Sequence, residues 1–399
     1  MQKIKIGHWF QQRKVLNLLL FCLLCGALSG CFGEKQHTSE NILIKKISFS
    51  DLNGWKKENF AEVIKPFEQN CQAVLKNNQS NLDQSEISLS TAAYKKVCTK
   101  FSEKQIRTDS QMRRFIETEF DVFTISNGQD DTGKFTSYYE AIIHASLEKH
   151  GKYKYPVYGR PKDLIEINLQ DFDASLPNKR LVGRVTNGKF VPYYNRREIE
   201  DKGINAPIIM WGDDLADIHF MQIQGSAIAK MDDGSELRVG FADSNGLPFK
   251  GIGGILLNKK LIEAKDASMP KIREWLRKNP QKAAELMKEN ERFIFQKLSD
   301  ADGPQGALGI SLTPGRSLAV DRQYIPLGAM MWLDTVDPDQ KQLQKIVFAQ
   351  DIGSAIKGVV RGDYFWGHGE EALQKAGRMN SVGKYFLLAP KSAVTIAAQ

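Results

Sequence analysis

The sequence predicts a mostly β protein with some α-helix, organised as barrels rather than as a parallel βαβ sheet. Three observations predict it. Short apolar runs bounded by turn residues fill the stretch from 121 to about 255 and return from 293 onward. Few helical segments separate those runs, whereas parallel strands need crossover connections, usually helices. Helical spacing is concentrated in 57–120 and 268–290. The 399 residues are 42% apolar and 26% charged. That length suits two or three domains, and the composition excludes a disordered chain, a collagen and a multi-span membrane protein.

The N-terminus comes first. Lys3, Lys5, Arg13 and Lys14 precede an apolar stretch from Val15 to Ala27, short for a membrane span but suited to an export signal. Leu28-Ser29-Gly30-Cys31 then resembles a bacterial lipobox. On that reading residues 1–30 are a lipoprotein signal peptide and Cys31 carries lipid. The alternative is an uncleaved anchor with an incidental cysteine. The net charge is +8, and residues 1–30 hold four positive and no negative side chains. Cleavage before Cys31 leaves +4, too small an excess to suggest nucleic acid as a partner. Residues 31–50 are polar and mixed, a tether to the body. Cys71 and Cys98 remain as an even pair in an exported protein, either a disulfide or two buried thiols.

Within 57–120, Phe60, Val63, Ile64 and Phe67 recur at helical spacing. Val122-Phe123-Thr124-Ile125 and Phe135-Thr136-Ser137-Tyr138-Tyr139 read as strands. Ala227–Met231 and Leu237–Phe241 form a hairpin about Asp232-Asp233-Gly234-Ser235. Ser268 caps a helix that Pro280 interrupts. The last strands are Phe293–Phe295, Ser317–Val320, Met330–Leu333, Ile346–Ala349 and Tyr385–Leu388.

Several familiar motifs fail. Gly128 to Lys134 imitates a phosphate loop but lacks the Ser or Thr after the lysine. Gly251-Ile252-Gly253-Gly254 lacks dinucleotide spacing. The six histidines form no HExxH and pair with no cysteine at ligand spacing, so neither metal nor cofactor is expected. Three aspartates end apolar strands: Asp321, Asp351 and Asp363. Desolvation there raises a carboxyl toward a working acid, while Arg322, Lys357 and Arg361 pull the other way. Turn or ion-pair aspartates are the alternative. Ile218 to Gln224 reads as a strand with Phe220, Gln222 and Gln224 on one face. Paired amides beside aromatics suit a sugar, or else the glutamines are solvated on an edge strand.

These residues resemble the membrane-bound lytic murein transglycosylase A (MltA) family with its C-terminal three-aspartate (3D) domain. The matching stretches include Phe135-Thr-Ser-Tyr-Tyr-Glu140, Tyr155-Pro-Val-Tyr158, Gln222-Ile-Gln-Gly-Ser226, Gly315-Arg-Ser-Leu-Ala-Val-Asp321, Ala349-Gln-Asp351, Ala355-Ile-Lys-Gly358 and Asp363 with Trp366-Gly367. They run in order from about 120 to 390. The resemblance implies a double-psi β-barrel domain with a second β-domain inserted and a substrate groove between them. The barrel would comprise 51–139, helical, and 293–399; the insert would span 140–292.

The resemblance also implies cleavage of the β-1,4 bond between N-acetylmuramic acid and N-acetylglucosamine of peptidoglycan, leaving a 1,6-anhydro end. Asp363 aligns with the family's acid. Asp351 and Asp321 would orient groups and keep it protonated by like-charge repulsion. Thr136, Tyr138, Gln222, Gln224 and Ser226 are the expected glycan contacts. Phe32 after Cys31 is not an inner-membrane retention signal, so a Gram-negative outer membrane facing the periplasm is expected. A two-carboxylate hydrolase and a non-catalytic peptidoglycan-binding lipoprotein are the rival readings.

Overall fold

A computed structural model describes residues 41–177 and 179–394. The signal peptide, Cys31 and most of the tether lie outside the described residues. In chain order the elements are β1 (Ile42–Ile47), α1 (Ala61–Lys76), α2 (Thr91–Lys104), α3 (Asp109–Glu119), β2 (Phe120–Asn127), β3 (Gly133–Ser146), β4 (Tyr155–Tyr158), β5 (Ile165–Asn168), β6 (Arg180–Thr186) and β7 (Lys189–Pro192). Next come α4 (Arg196–Lys202), β8 (Ile208–Gly212), α5 (Leu215–Gln224), β9 (Ala227–Met231), β10 (Glu236–Ser244), α6 (Ile252–Asn258), α7 (Met269–Lys278) and α8 (Pro280–Met287). The last are β11 (Ile294–Ser299), β12 (Ser317–Val320), β13 (Met330–Val336), β14 (Gln342–Ile352), β15 (Arg361–His368), α9 (Gly369–Ala376) and β16 (Asn380–Pro390).

Each of the first three helices buries one stripe, and the second and third also begin on a capping residue. Ser90 and Thr108 accept from the backbone N–H three residues on, satisfying an orphan donor at each start. Phe67 of α1 is a hub, its ring centroid 4.8–6.3 Å from those of Phe101, Phe115, Phe120 and Phe348. A disulfide joins Cys71 of α1 to Cys98 of α2. Helix and sheet are also clamped by charge. Buried Arg316 donates to both oxygens of buried Glu58, each at 3.0 Å, and Glu58 accepts from Ile346 N–H. Hydrogen bonds beyond the pair itself thus share the cost of burying it.

The strands are mostly antiparallel, with parallel contacts at β12–β14, β15–β3 and β3–β9. The order is β1-β2-β16-β13-β14-β12-β15-β3, and the start of β16 also pairs with β3, Asn380 opposite Thr136. β3 then changes partner. Up to Glu140 it pairs with β15; from Ala141 it pairs with β9 and carries the second sheet. β5-β6-β7 form a separate three-stranded sheet.

Three expectations need correction. Ile42–Ile47 pairs with β2 along its whole length, so the tether does not reach residue 50; Ile42, Ile44 and Ile47 lie against the core. β11 pairs with β10, Phe241 opposite Gln296, so the second sheet runs to residue 299 and does not end at 292. Finally, Leu215–Gln224 is a helix, not a strand. Asp214 accepts from Ala216 and Asp217 N–H at its start, and Gly225 at φ +87° closes its end. Seven of its ten residues are buried, polar ones included, so no amphipathic helical stripe shows and a two-residue alternation is left to mislead.

Candidate active site

Strand register builds a carboxylate row. Ala319 of β12 lies opposite Asp351 on β14 and opposite Asp363 on β15, and Asp363 lies opposite Thr136 on β3. The two aspartates therefore stand two strands apart, about 9–10 Å at backbone level. The small Ala319 between them leaves room above the sheet. A register shift between Leu318 and Ala319 makes Gln350 the extra residue of β14. Its buried amide accepts from Ser317 Oγ at 2.6 Å. Such a bulge re-aims the next side chain, here Asp351. Gly362 is required beside Asp363: a Cβ there would sit 2.8 Å from the Phe135 ring.

The aspartates line a groove of about 820 Å³ that also touches α5, β10 and β11. Their hydrogen bonds differ. Asp351 accepts at both oxygens, from Ala307 N–H at 3.1 Å and from Tyr138 Oη at 2.9 Å. Asp363 accepts at Oδ1 from Thr136 Oγ1, and its Oδ2 has no partner among the described residues. Thr136 in turn accepts from Arg361 Nη2 at 2.6 Å. Burial raises the Asp363 pKa, against the lowering pull of Thr136 and the Arg361 charge. Burial also pushes Asp351 up to about 6, opposed by the backbone of Ile352, then by Tyr138 and Ala307; the Asp363 charge adds a smaller rise. Desolvation thus exceeds the like-charge repulsion read from the sequence.

Asp321 is placed differently. It is not among the groove's lining residues. Its carboxylate accepts from Gly358 N–H at 3.0 Å and from Lys357 Nζ at 3.2 Å, which fixes the loop after β14. No charge of Asp321 is among the influences on Asp363.

Gln222, Gln224 and Ser226 line the groove from the end of α5. The glutamine side chains are already partly used. Gln222 Oε1 accepts from Arg196 Nη2 at 2.6 Å, and Gln224 Oε1 accepts from Tyr139 N–H at 3.1 Å. Each keeps its NH₂ as a donor. Arg196 is itself buried and also donates to the carbonyls of Asn290 and Arg292, pinning α5 to the approach of β11. Arg238 lines the groove and is held by fully buried Glu140. Neither arginine carries a sequence signal, because its partner lies 26 or 98 residues away.

The sequence matches the MltA specific insert domain over residues 134–297 and the 3D domain over 316–389. It is 29% identical over 272 residues to membrane-bound lytic murein transglycosylase A of Escherichia coli K12, covering 65% of this chain and 67% of that protein. Among solved structures, lytic transglycosylase LtgG of Burkholderia pseudomallei is 32% identical with a TM-score of 0.58, covering 88% of this chain and 96% of that one. The chain belongs to the MltA family. MltA from Neisseria gonorrhoeae shares its architecture at a TM-score of 0.75 and 29% identity, over 88% of this chain and 93% of that one. The two aspartates therefore sit inside the segment that matches the 3D domain, and the matched insert contributes Thr136, Tyr138 and the glutamines to the same groove.

Proposed function

We propose that this MltA-family chain is a lytic transglycosylase that cleaves the β-1,4 bond between N-acetylmuramic acid and N-acetylglucosamine of peptidoglycan and closes a 1,6-anhydromuramoyl end. The observation that carries the mechanism is the asymmetry of the two groove carboxyls. Both oxygens of Asp351 accept, as suits an ionised, fixed group. Asp363, which lines the groove, has one accepting oxygen and one without a partner among the described residues, as suits an acid whose proton sits on Oδ2.

In the first step Asp363 gives that proton to the glycosidic oxygen, and the C1–O bond breaks with its electron pair on the leaving oxygen. In the second the sugar's 6-hydroxyl oxygen bonds to C1 and its proton returns to Asp363. One carboxyl suffices because the nucleophile is the substrate's own hydroxyl. Asp351, through Tyr138, fixes the floor beside the acid. Asp321 holds the loop at Lys357 and Gly358. Gln222, Gln224 and Ser226 offer donors to acetamido and hydroxyl groups of the glycan.

A second reading draws on one observation: two aspartates two strands apart approach the 6.5–9.5 Å carboxyl separation of an inverting hydrolase. Mass spectrometry of products from purified sacculi decides. A 1,6-anhydro product retains the mass of the cleaved strand, whereas a hydrolysed one carries an added water.

We also read the β3–β15–β12–β14–β13–β16 strands as a double-psi β-barrel; the return of β16 onto β3 supports this. The insert is read as the region from Ala141 to β11, supported by the partner change within β3 and the matched span 134–297. Lipidation of Cys31 and an outer-membrane location facing the periplasm are proposed from the lipobox and Phe32. The related E. coli and Vibrio cholerae proteins are described as membrane-bound, which supports a membrane anchor.

A further inference from the structure

Arg361 opens β15 and lines the groove, separated from Asp363 only by Gly362. It makes no carboxylate ion pair among the described residues. Its guanidinium donates instead to Thr136 Oγ1 at 2.6 Å and to the carbonyl of Lys134 at 3.2 Å, and also to the carbonyl of Gly362. A half-buried cation that forgoes a carboxylate for a hydroxyl calls for a reason.

Hydrogen-bond accounting supplies one. A guanidinium only donates, and a threonine hydroxyl has one hydrogen and two lone pairs. With a lone pair of Thr136 taken by Arg361, its single hydrogen turns to the acceptor in reach, Asp363 Oδ1. Without Arg361 the hydroxyl could instead accept from a protonated Oδ1, which would trap the acid proton on the oxygen turned away from the glycan.

We infer that Arg361 is a positioning residue that acts through Thr136 to keep Asp363 Oδ1 an acceptor, so that the transferable proton resides on Oδ2. Thr136 is then part of the acid's support and not a free glycan contact. The inference rests on the reading of Asp363 as the acid/base.

The sign of the pH effect follows. The groups facing Asp363 are Thr136 and Tyr138 from β3, Asp351 from β14 and Arg361 from its own strand; β12 presents uncharged Ala319. Thr136 and Arg361 both favour the ionised acid, so removing either raises its pKa. The first step needs the protonated form, so the alkaline limb of the rate profile moves to higher pH.

The test uses soluble peptidoglycan strands and the release of anhydro ends across pH, on the full chain. Arg361→Gln is expected to lower kcat about 10- to 100-fold, the loss typical of a hydrogen bond to a charged group, and to move the alkaline limb up. Thr136→Val should move the limb the same way. Adding Arg361→Gln to Thr136→Val should cost little more in kcat, because the hydrogen-bond path is already cut, and should move the limb further only by the direct effect of the lost Arg361 charge. Arg361→Lys, which keeps a cationic donor, should stay near the wild-type limb. A slower Arg361→Gln enzyme with an unmoved limb overturns the inference, as does full additivity in the double variant. Should Arg361→Gln not fold, Arg361→Met takes its place alone and combined with Thr136→Val, and non-additivity in kcat again decides it. The product mass from the wild type tests the underlying transglycosylase reading separately.

Discussion

Replacing each groove aspartate by asparagine separates the chemical role from the structural one. In Asp363→Asn the new amide can place its carbonyl where Oδ1 was, still accepting from Thr136, and its NH₂ in the open position of Oδ2. No hydrogen bond is lost, so the fold should be intact. What disappears is the transferable proton, and general acid–base catalysis is worth about 10²–10⁴-fold. Asp351→Asn removes a buried carboxylate instead. Its carbonyl can still accept from Ala307 N–H while its NH₂ donates to Tyr138 Oη, whose own hydrogen turns away. Both variants should therefore stay folded. The assay is anhydromuropeptide release from sacculi, with circular dichroism and urea midpoints for both variants. The expected pattern is two folded variants, a nearly inactive Asp363→Asn and an Asp351→Asn that retains more activity. A folded Asp363→Asn with near wild-type release refutes the assignment. An inactive Asp351→Asn beside an active Asp363→Asn moves the acid to Asp351.

Four further outcomes are expected. Asp351 is raised from 3.8 to about 6, so the folded state holds its proton more tightly than the unfolded state. Its contribution therefore declines as pH rises from about 4 to 6, by roughly 3 kcal/mol; Asp351→Asn should flatten that slope in urea midpoints taken at pH 4 and 7, and an unchanged slope counts against it. Glu58→Gln leaves buried Arg316 with exposed Glu62 as its remaining carboxylate and should cost about 3–5 kcal/mol in chemical denaturation; a loss under about 1 kcal/mol, the size of a surface pair, refutes the clamp. Cys71→Ser with Cys98→Ser opens a loop of 27-residue separation and should cost about 3.5 kcal/mol in the chain-entropy model, with Cys71 and Cys98 thiols absent from the oxidised wild type. Cys31→Ala should release the protein from membranes, and full retention after a high-salt wash removes the lipidation proposal.

What the sequence disclosed depended on how local the signal was. Helices α1 to α3, the β9–β10 hairpin and strands β12 to β14 were legible because apolar period and turn residues lie within a few positions of each other. Helix α5 was not. It is packed on several sides, so Ile218, Phe220 and Met221 are buried as fully as Gln222, and polarity no longer marks its period. The overlooked signals were Asp214 as a cap and Gly225 as a stop. Likewise the aspartates were visible as strand ends, but their different roles were not. Nothing local says that Asp321 turns to Lys357 and Gly358, or that Ala307, 44 residues before Asp351, fills one of its oxygens.

That difference bears on the proposal that a single acid serves both steps. A carboxyl that must first give and then regain one proton works best when only one of its oxygens is free, since a second exchangeable position would compete for the proton. The row Asp351–Ala319–Asp363–Thr136 provides this by pairing alone: β3 caps one oxygen of Asp363, Ala319 keeps the space beside the other open, and the bulge at Gln350 turns Asp351 toward Tyr138. Filling that space should then block glycan access while leaving the proton geometry alone. Ala319→Val adds two methyl groups between the carboxyls at a buried strand position, where a β-branched residue suits the backbone. The expected result is a folded enzyme whose KM for glycan strands rises while the pH limbs stay in place. Moved limbs with an unchanged KM would show that Ala319 tunes the acid and that the open space is not where the sugar sits.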